Sequence, residues 1–191
     1  MAFVEEVAEN GYGAVTVAAV VGRAGTAKRT FYEHFESKQD CFIQAFMEGA
    51  THVVGSIIGA GDQVEDPYER IVAGVRGYIE GLVEIPAFAK LYLNGPITDG
   101  PDLAEEWVNW FELLAAGLVE WRETSRKTHP EVPPLTQHHA IAALSAINGL
   151  ARVILHRDGI DGLRDQSDEI VDIALAFFTA RPGTPGHSDD V

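Results

Sequence analysis

Apolar residues recur along most of this chain in steps of three and four. Between Leu103 and Trp121 they fall at Trp107, Trp110, Phe111, Leu114, Leu118 and Trp121, and from Ile71 onward at Val75, Tyr78, Ile79 and Leu82. That spacing returns to one side of a helix at every turn, while two-residue alternation, the mark of a half-buried strand, is rare. Glycine and proline cut the runs at Gly11 and Gly13, at Gly25, from Gly59 to Gly61, at Pro67, Pro86, Pro96 and Pro101, at Pro130, Pro133 and Pro134, and at Gly159 and Gly162. The pattern predicts an all-α fold of about nine helices, over 2–9, 16–23, 27–34, 38–59, 67–83, 86–93, 102–127, 136–157 and 167–180. The Gly/Pro-rich end, 182–191, reads as a disordered tail.

Two predicted helices carry more apolar surface than a single stripe. From Ala140 to Leu155 nearly every position is apolar or small, with Asn148 and Arg152 the main exceptions. The last helix has Ile170, Ile173, Ala174 and Phe177 on one side, with Val171, Leu175 and Phe178 beside them. A surface helix needs one stripe. A second points either to a partner surface, such as a dimer mate, or to a helix at the centre of the core. Trp107, Trp110, Phe111 and Leu114, with Phe88 and Tyr92 on a neighbouring helix, read either as core packing or as the wall of a pocket for an apolar or aromatic small molecule. Gly55 with Gly59, and Gly77 with Gly81, are spaced to let helices approach closely.

Residues 16–35 have the local logic of a helix-turn-helix. Thr16 can cap a short helix whose apolar face is Val17, Val20 and Val21. Gly25 takes positive φ cheaply and turns the chain, and Thr26 can cap a second helix. Phe31 and Phe35, four apart, would hold that helix to the core and leave Lys28, Arg29, Thr30 and Tyr32 on or near its outer face. Lys and Arg at the start of a helix suit phosphate and the major groove, where Arg reads guanine bidentately. Ser37, with Asp40 three residues on, opens the next helix and places Lys38 in its first turn, within reach of a phosphate.

Composition changes this picture in one respect. With 46% hydrophobic residues the chain is not disordered, but a net charge of -15, spread evenly, would argue against nucleic acid. The charge is not even. Residues 1–45 carry 4 basic and 6 acidic side chains, and 22–38 carry 4 against 2, so most of the excess acid lies beyond position 45. Cys41 is the only cysteine, which excludes an internal disulfide and a cysteine-built zinc site and fits a reducing compartment. There is no basic leader and no stretch apolar enough to span a bilayer, so a cytoplasmic protein with no membrane partner is expected. No nucleophile-base set, paired carboxylate or metal-ligand spacing stands out. Neither an enzyme, nor a metal, nor a cofactor is expected.

The segments Glu9-Asn-Gly-Tyr12, Thr16-Val17, Arg23-Ala-Gly25 and Lys28-Arg-Thr-Phe-Tyr-Glu-His-Phe-Glu-Ser-Lys38 together resemble the DNA-binding domain of the TetR family of transcriptional regulators, over about 5–46. The resemblance implies a DNA-binding head at 1–45, with its helix-turn-helix at 16–35, and a ligand-binding and dimerisation domain at 46–181. It implies a homodimer of Ω-like shape, most often a repressor, whose two heads sit in successive major grooves of a palindromic double-stranded operator. A small-molecule effector shifts the heads and releases the DNA. By position, Lys28, Arg29 and Thr30 would touch bases or nearby phosphates. Tyr32, His34 and Lys38 would touch the backbone, with Thr16 and Val17 at the start of the preceding helix. The family's dimer bundle maps to 136–157 and 167–180, with Ile147, Ala151, Ile154, Ile170, Ile173, Ala174 and Phe177 as its seam. The effector pocket maps to Phe88, Tyr92, Trp107, Trp110, Phe111 and Leu114, and the acidic C-terminal domain disfavours an anionic effector. Two features depart from the family pattern. Ala27 and Arg29 stand where Ser and Gly are often found. Only ten residues precede Gly11, so the first helix reads as truncated; the alternative is a member with weak DNA binding that retains its effector site.

Overall fold

The computed structural model describes residues 1–94 and 101–179, and these are all-α. Ten helices follow in order: α1 Ala2–Asn10, α2 Val17–Arg23, α3 Lys28–His34, α4 Lys38–Gly61, α5 Pro67–Glu84, α6 Pro86–Asn94, α7 Pro101–Arg126, α8 Gln137–Asp158, α9 Gly162–Asp165 and α10 Ser167–Thr179. The helix absent from the sequence expectation is α9, a single turn too short to show a period. Pro96 and the expected tail at 182–191 lie outside the described residues.

The helix starts follow from local chemistry. The Thr16 hydroxyl accepts from the Ala19 N–H at 3.2 Å, and the Ser37 hydroxyl accepts from the Asp40 N–H at 3.0 Å. The Asp40 carboxylate in turn accepts from the Glu36 N–H, just before the cap, at 2.9 Å. Asp66 accepts from both Tyr68 and Glu69 N–H at 2.9 Å, with Pro67 in the first turn where its missing donor costs nothing. The α2–α3 turn is made by Gly25 at φ 64. Thr26 does not cap α3. The helix begins one residue later, with Ala27 as an N-cap that makes no side-chain bond.

α4 joins the head to the rest and packs along α5. Glycines on α5 permit this: a Cβ at Gly77 would run into the Ser56 carbonyl, and one at Gly81 would sit 3.0 Å from the Val53 Cα. Gly55 and Gly59 face open space, so the close approach expected of both glycine pairs is made by one of them. α10 packs on α5 and α8, α7 packs on α8, and α1 rests on α6. Asn148, buried on α8, ties three helices together. It accepts from the Tyr78 hydroxyl of α5 at 2.7 Å and donates to the Tyr92 hydroxyl of α6 at 3.2 Å. Burial holds both phenols above their usual pKa. Arg152 donates to the Leu93 carbonyl near the end of α6, so both polar exceptions in the α8 run are explained by contacts.

The expectation of a dimer seam needs correction here. Ile147, Ala151, Ile154, Ile170 and Ala174 are covered by the chain's own core and offer no free surface to a second subunit. Ile173 and Phe177 are only partly buried, and Val153 on α8 is exposed. A second correction concerns hydropathy. α4 and α8 are, by length and composition, apolar enough to cross a membrane, yet both supply buried residues to the helical core.

Candidate nucleic-acid interface

α3 presents one polar face and one core face. Phe31 is buried, with its ring centroid 5.1 Å from that of Phe35 in a tilted contact, fixing the helix to the head's interior. Lys28, Arg29, Tyr32 and Glu33, at positions i, i+1, i+4 and i+5, lie together on the outside, with Tyr32 59% exposed. Arg29 donates to Glu33 at 3.0 Å in an exposed i,i+4 pair. Such pairs are worth about 0.3–0.5 kcal/mol, so a guanine or phosphate can displace it at little cost. Lys28 has no ion pair or hydrogen bond among the described residues. Thr16 is exposed and Val17 half-buried at the start of α2. Thr30 and His34 lie on another side of α3, lining a cleft of about 380 Å³ that opens against Phe3 and Cys41.

The remaining cations of the head are engaged with the protein. Arg23 gathers three carboxylates of α1: Glu6 at 2.7 Å, Glu5 at 3.5 Å and Glu9 through both its carboxylate oxygens. This fastens α2 to α1 and withdraws Arg23 from any role towards DNA. The Arg23 hydrogen bond holds the Glu9 carboxyl below its usual pKa. Lys38 turns inward. Its ammonium donates to the Tyr12 carbonyl at 2.9 Å and the Val15 carbonyl at 3.1 Å, and lies 4.1 Å above the Tyr12 ring. An ammonium has three N–H bonds, so one remains after both carbonyls are served. Cys41, buried beside Phe42, has its thiol pushed up to about 11 by burial, which keeps it protonated and unreactive at neutral pH.

Residues 2–45, which span α1 to α3 and the start of α4, match the profile of bacterial regulatory proteins of the tetR family. The tetR-family match thus covers the head, from α1 into α4. Solved structures extend the likeness in fold across its length. The fatty acid degradation regulator FadR from Bacillus halodurans superposes with a TM-score of 0.74 at 20% identity, over 91% of each chain. FadR from Bacillus subtilis, solved in complex with stearoyl-CoA, superposes with a TM-score of 0.76 at 18% identity, over 92% of this chain and 95% of that one. A TetR-like transcriptional regulator from Rhodococcus sp. RHA1 gives 0.66 at 19% identity, over 92% of both. No curated protein matches the chain in sequence.

In the C-terminal helices the aromatic residues expected to line an effector pocket do come together, as a packed cluster. Its hub is Phe46 of α4, which the sequence reading left out. Its ring lies 5.5 Å from Phe88, 5.6 Å from Trp107, and 6.4 Å from both Tyr92 and Trp110. Tyr92 lies 5.3 Å from Trp107, which stacks at 6.5 Å on Phe111. Phe88 and Tyr92 are buried, while Trp107, Trp110, Phe111 and Leu114 are half-buried. One helical turn before Phe46, Phe42 contacts Tyr12 at 5.0 Å and Phe3 at 5.9 Å. Phe42 and Phe46 thus carry aromatic contact along α4 from the head's core into the C-terminal helices. Among the described residues no group of His, Cys, Asp and Glu could hold a metal.

Proposed function

We propose that this tetR-family regulator acts as a homodimeric, effector-responsive repressor of a palindromic operator, with Lys28 and Arg29 at the base edges and Tyr32 and Lys38 at the phosphates. The observation that carries the reading is the outer face of α3. Lys28 stands without a partner there, Arg29 is held only by an exposed pair, and Phe31 anchors the helix behind them. Lys38 acts in a double capacity, holding the turn between α1 and α2 through two carbonyls while its third N–H serves a phosphate. Thr30 and His34 contribute less, since they line the cleft on another side of α3. The subunits meet through what α8 and α10 leave uncovered, Val153, Ile173 and Phe177. The effector is an amphiphile with a long apolar body. This follows from the aromatic cluster around Phe46 and from the stearoyl-CoA bound by the Bacillus subtilis relative. Binding there moves α4, and α4 carries the head with it. A cytoplasmic location accords with this role.

The test is fluorescence anisotropy on DNA taken from beside the gene, at two salt concentrations. Arg29→Ala should relax the preference for one operator position, at about 1–3 kcal/mol for a bidentate contact. Equal losses on operator and random DNA would reassign Arg29 to a phosphate. Absence of selective binding by the wild-type protein would overturn the regulator reading.

A further inference from the structure

Arg122 is the largest fully buried side chain of the C-terminal helices, with 1% of its surface exposed. Among the described residues none of its three side-chain nitrogens has a hydrogen-bond partner. The rings of Trp121 and Phe178 flank it, at 5.6 and 5.4 Å from the guanidinium carbon. Rings cover a guanidinium's faces, but its five N–H donors radiate from its edge and need acceptors. Its titratable neighbours are Tyr68 of α5 and Arg126, one turn on, and neither is a carboxylate. The nearby Glu123 is taken by Arg126, which also donates to the Val132 carbonyl. Burial pulls the Arg122 pKa down, and arginine stays charged all the same.

A buried charge with no counter-ion is among the most costly arrangements a core can hold, and removing one partner of a buried pair is strongly destabilising for that reason. This chain has 29 acidic residues against 14 basic ones, yet among the described residues no carboxylate is paired with this cation. The only other buried side-chain atom without a partner among the described residues is the Trp110 indole N–H, also a donor and also on α7. Between the aromatic cluster and Arg122, one side of α7 carries Trp107, Phe111, Ala115, Leu118 and Arg122, in steps of four and three. At 1.5 Å per residue that line runs roughly 22 Å.

From this arrangement we infer that Arg122 is an anion-binding subsite within the C-terminal helices, taking a carboxylate or phosphate group carried on a long apolar body. The inference rests on the proposed effector reading and adds to it that the effector is anionic, contrary to what the overall acidity implies. A guanidinium fork matches either group bidentately, in a low-dielectric setting that strengthens the contact.

The experiment follows tryptophan fluorescence, to which Trp107, Trp110 and Trp121 all contribute, and thermal melting of the full chain. The probes are palmitate, palmitoyl-CoA and hexadecanol, with wild type and Arg122→Met. The expected result is that at least one anionic probe binds wild type and raises its melting temperature, and that Arg122→Met weakens that probe by about 10- to 100-fold. Hexadecanol should be weak and indifferent to the substitution. Palmitate sensitivity identifies a carboxylate, and palmitoyl-CoA sensitivity alone identifies the phosphates. Without ligand, Arg122→Met should melt at or above wild type, because it removes an uncompensated charge. If hexadecanol binds as well as the anions and Arg122→Met leaves all three unchanged, the anion subsite is wrong and the effector reading survives. If no probe binds wild type, both fail. A melting temperature that falls on substitution, with binding intact, would make Arg122 a packing residue.

Discussion

The head and the C-terminal helices treat their cations in opposite ways. In the head, Arg23 faces three glutamates and Lys38 serves two carbonyls and a ring, so the buried or half-buried charge is compensated within the chain. Its uncommitted groups lie outside, on α3. In the C-terminal helices, Arg122 and the Trp110 indole are buried donors without acceptors, while pairs such as Arg164 with Glu80 lie near the surface. Local consistency marks the part of a protein that serves as scaffold, and unmet demand marks the part that waits for something else. Here the scaffold is the head's interior. The unmet demands are the outer face of α3 and the buried donors of α7, the two places at which we propose that DNA and an effector bind.

The sharpest way to break this contrast is at the residue the two regions share. Phe46→Ala removes the ring that links Phe42 to the Phe88, Tyr92 and Trp107 cluster. It should cost about 3–5 kcal/mol in a denaturant melt. If the head and C-terminal helices then unfold in separate transitions, α4 is the coupling between them. A single transition at lower denaturant would show that other contacts, such as α1 on α6, suffice. Next in size is Gly77→Ala, which forces a methyl into the Ser56 carbonyl and should destabilise by about 1–3 kcal/mol. Gly55→Ala, in open space on the facing helix, should instead stabilise by up to about 1 kcal/mol. Opposite signs in parallel melts would confirm which glycine pair is a contact.

The smallest effect is that of acid on the head. Glu9's carboxyl is lowered from its ordinary value of 4.5 by Arg23, so its contribution is complete above that pH and is lost as pH falls through the lowered value. The α1–α2 clamp should loosen below about pH 4.5, and Arg23→Gln should remove that part of the pH dependence. The pair is exposed and screened, so the change is modest. Glu80, lowered by Arg164, loses its contribution in the same acid range and stays affected in Arg23→Gln. That residual slope separates the two regions in one circular-dichroism titration.

How much of this was legible beforehand depended on range. Thr16, Ser37 and Gly25 act on atoms within a few residues, so their roles could be read directly. The same is true of Phe31 and the outward set at 28, 29 and 32. The inward contacts of Lys38 were not legible, because its acceptors, Tyr12 and Val15, are more than twenty residues away. The second apolar stripes on α8 and α10 were visible, but whether the chain itself or a partner covers them is a matter of packing. Ile147, Ala151, Ile154, Ile170 and Ala174 turned out to face inward. Nothing in the local spacing singles out Arg122, whose burial depends on helices far away in the chain.

By itself, then, the sequence determined the elements longer than a single turn, most of their starts and the tetR-type head, because hydrophobic period, caps and a turn glycine are properties of neighbouring residues. Only the tertiary structure decided that Phe46 joins the two regions, that Arg23 is spent on α1, and that Arg122 lies buried without a counter-charge. Each of these is a relation between groups distant in the chain, and its energy arises only when packing removes water from between them.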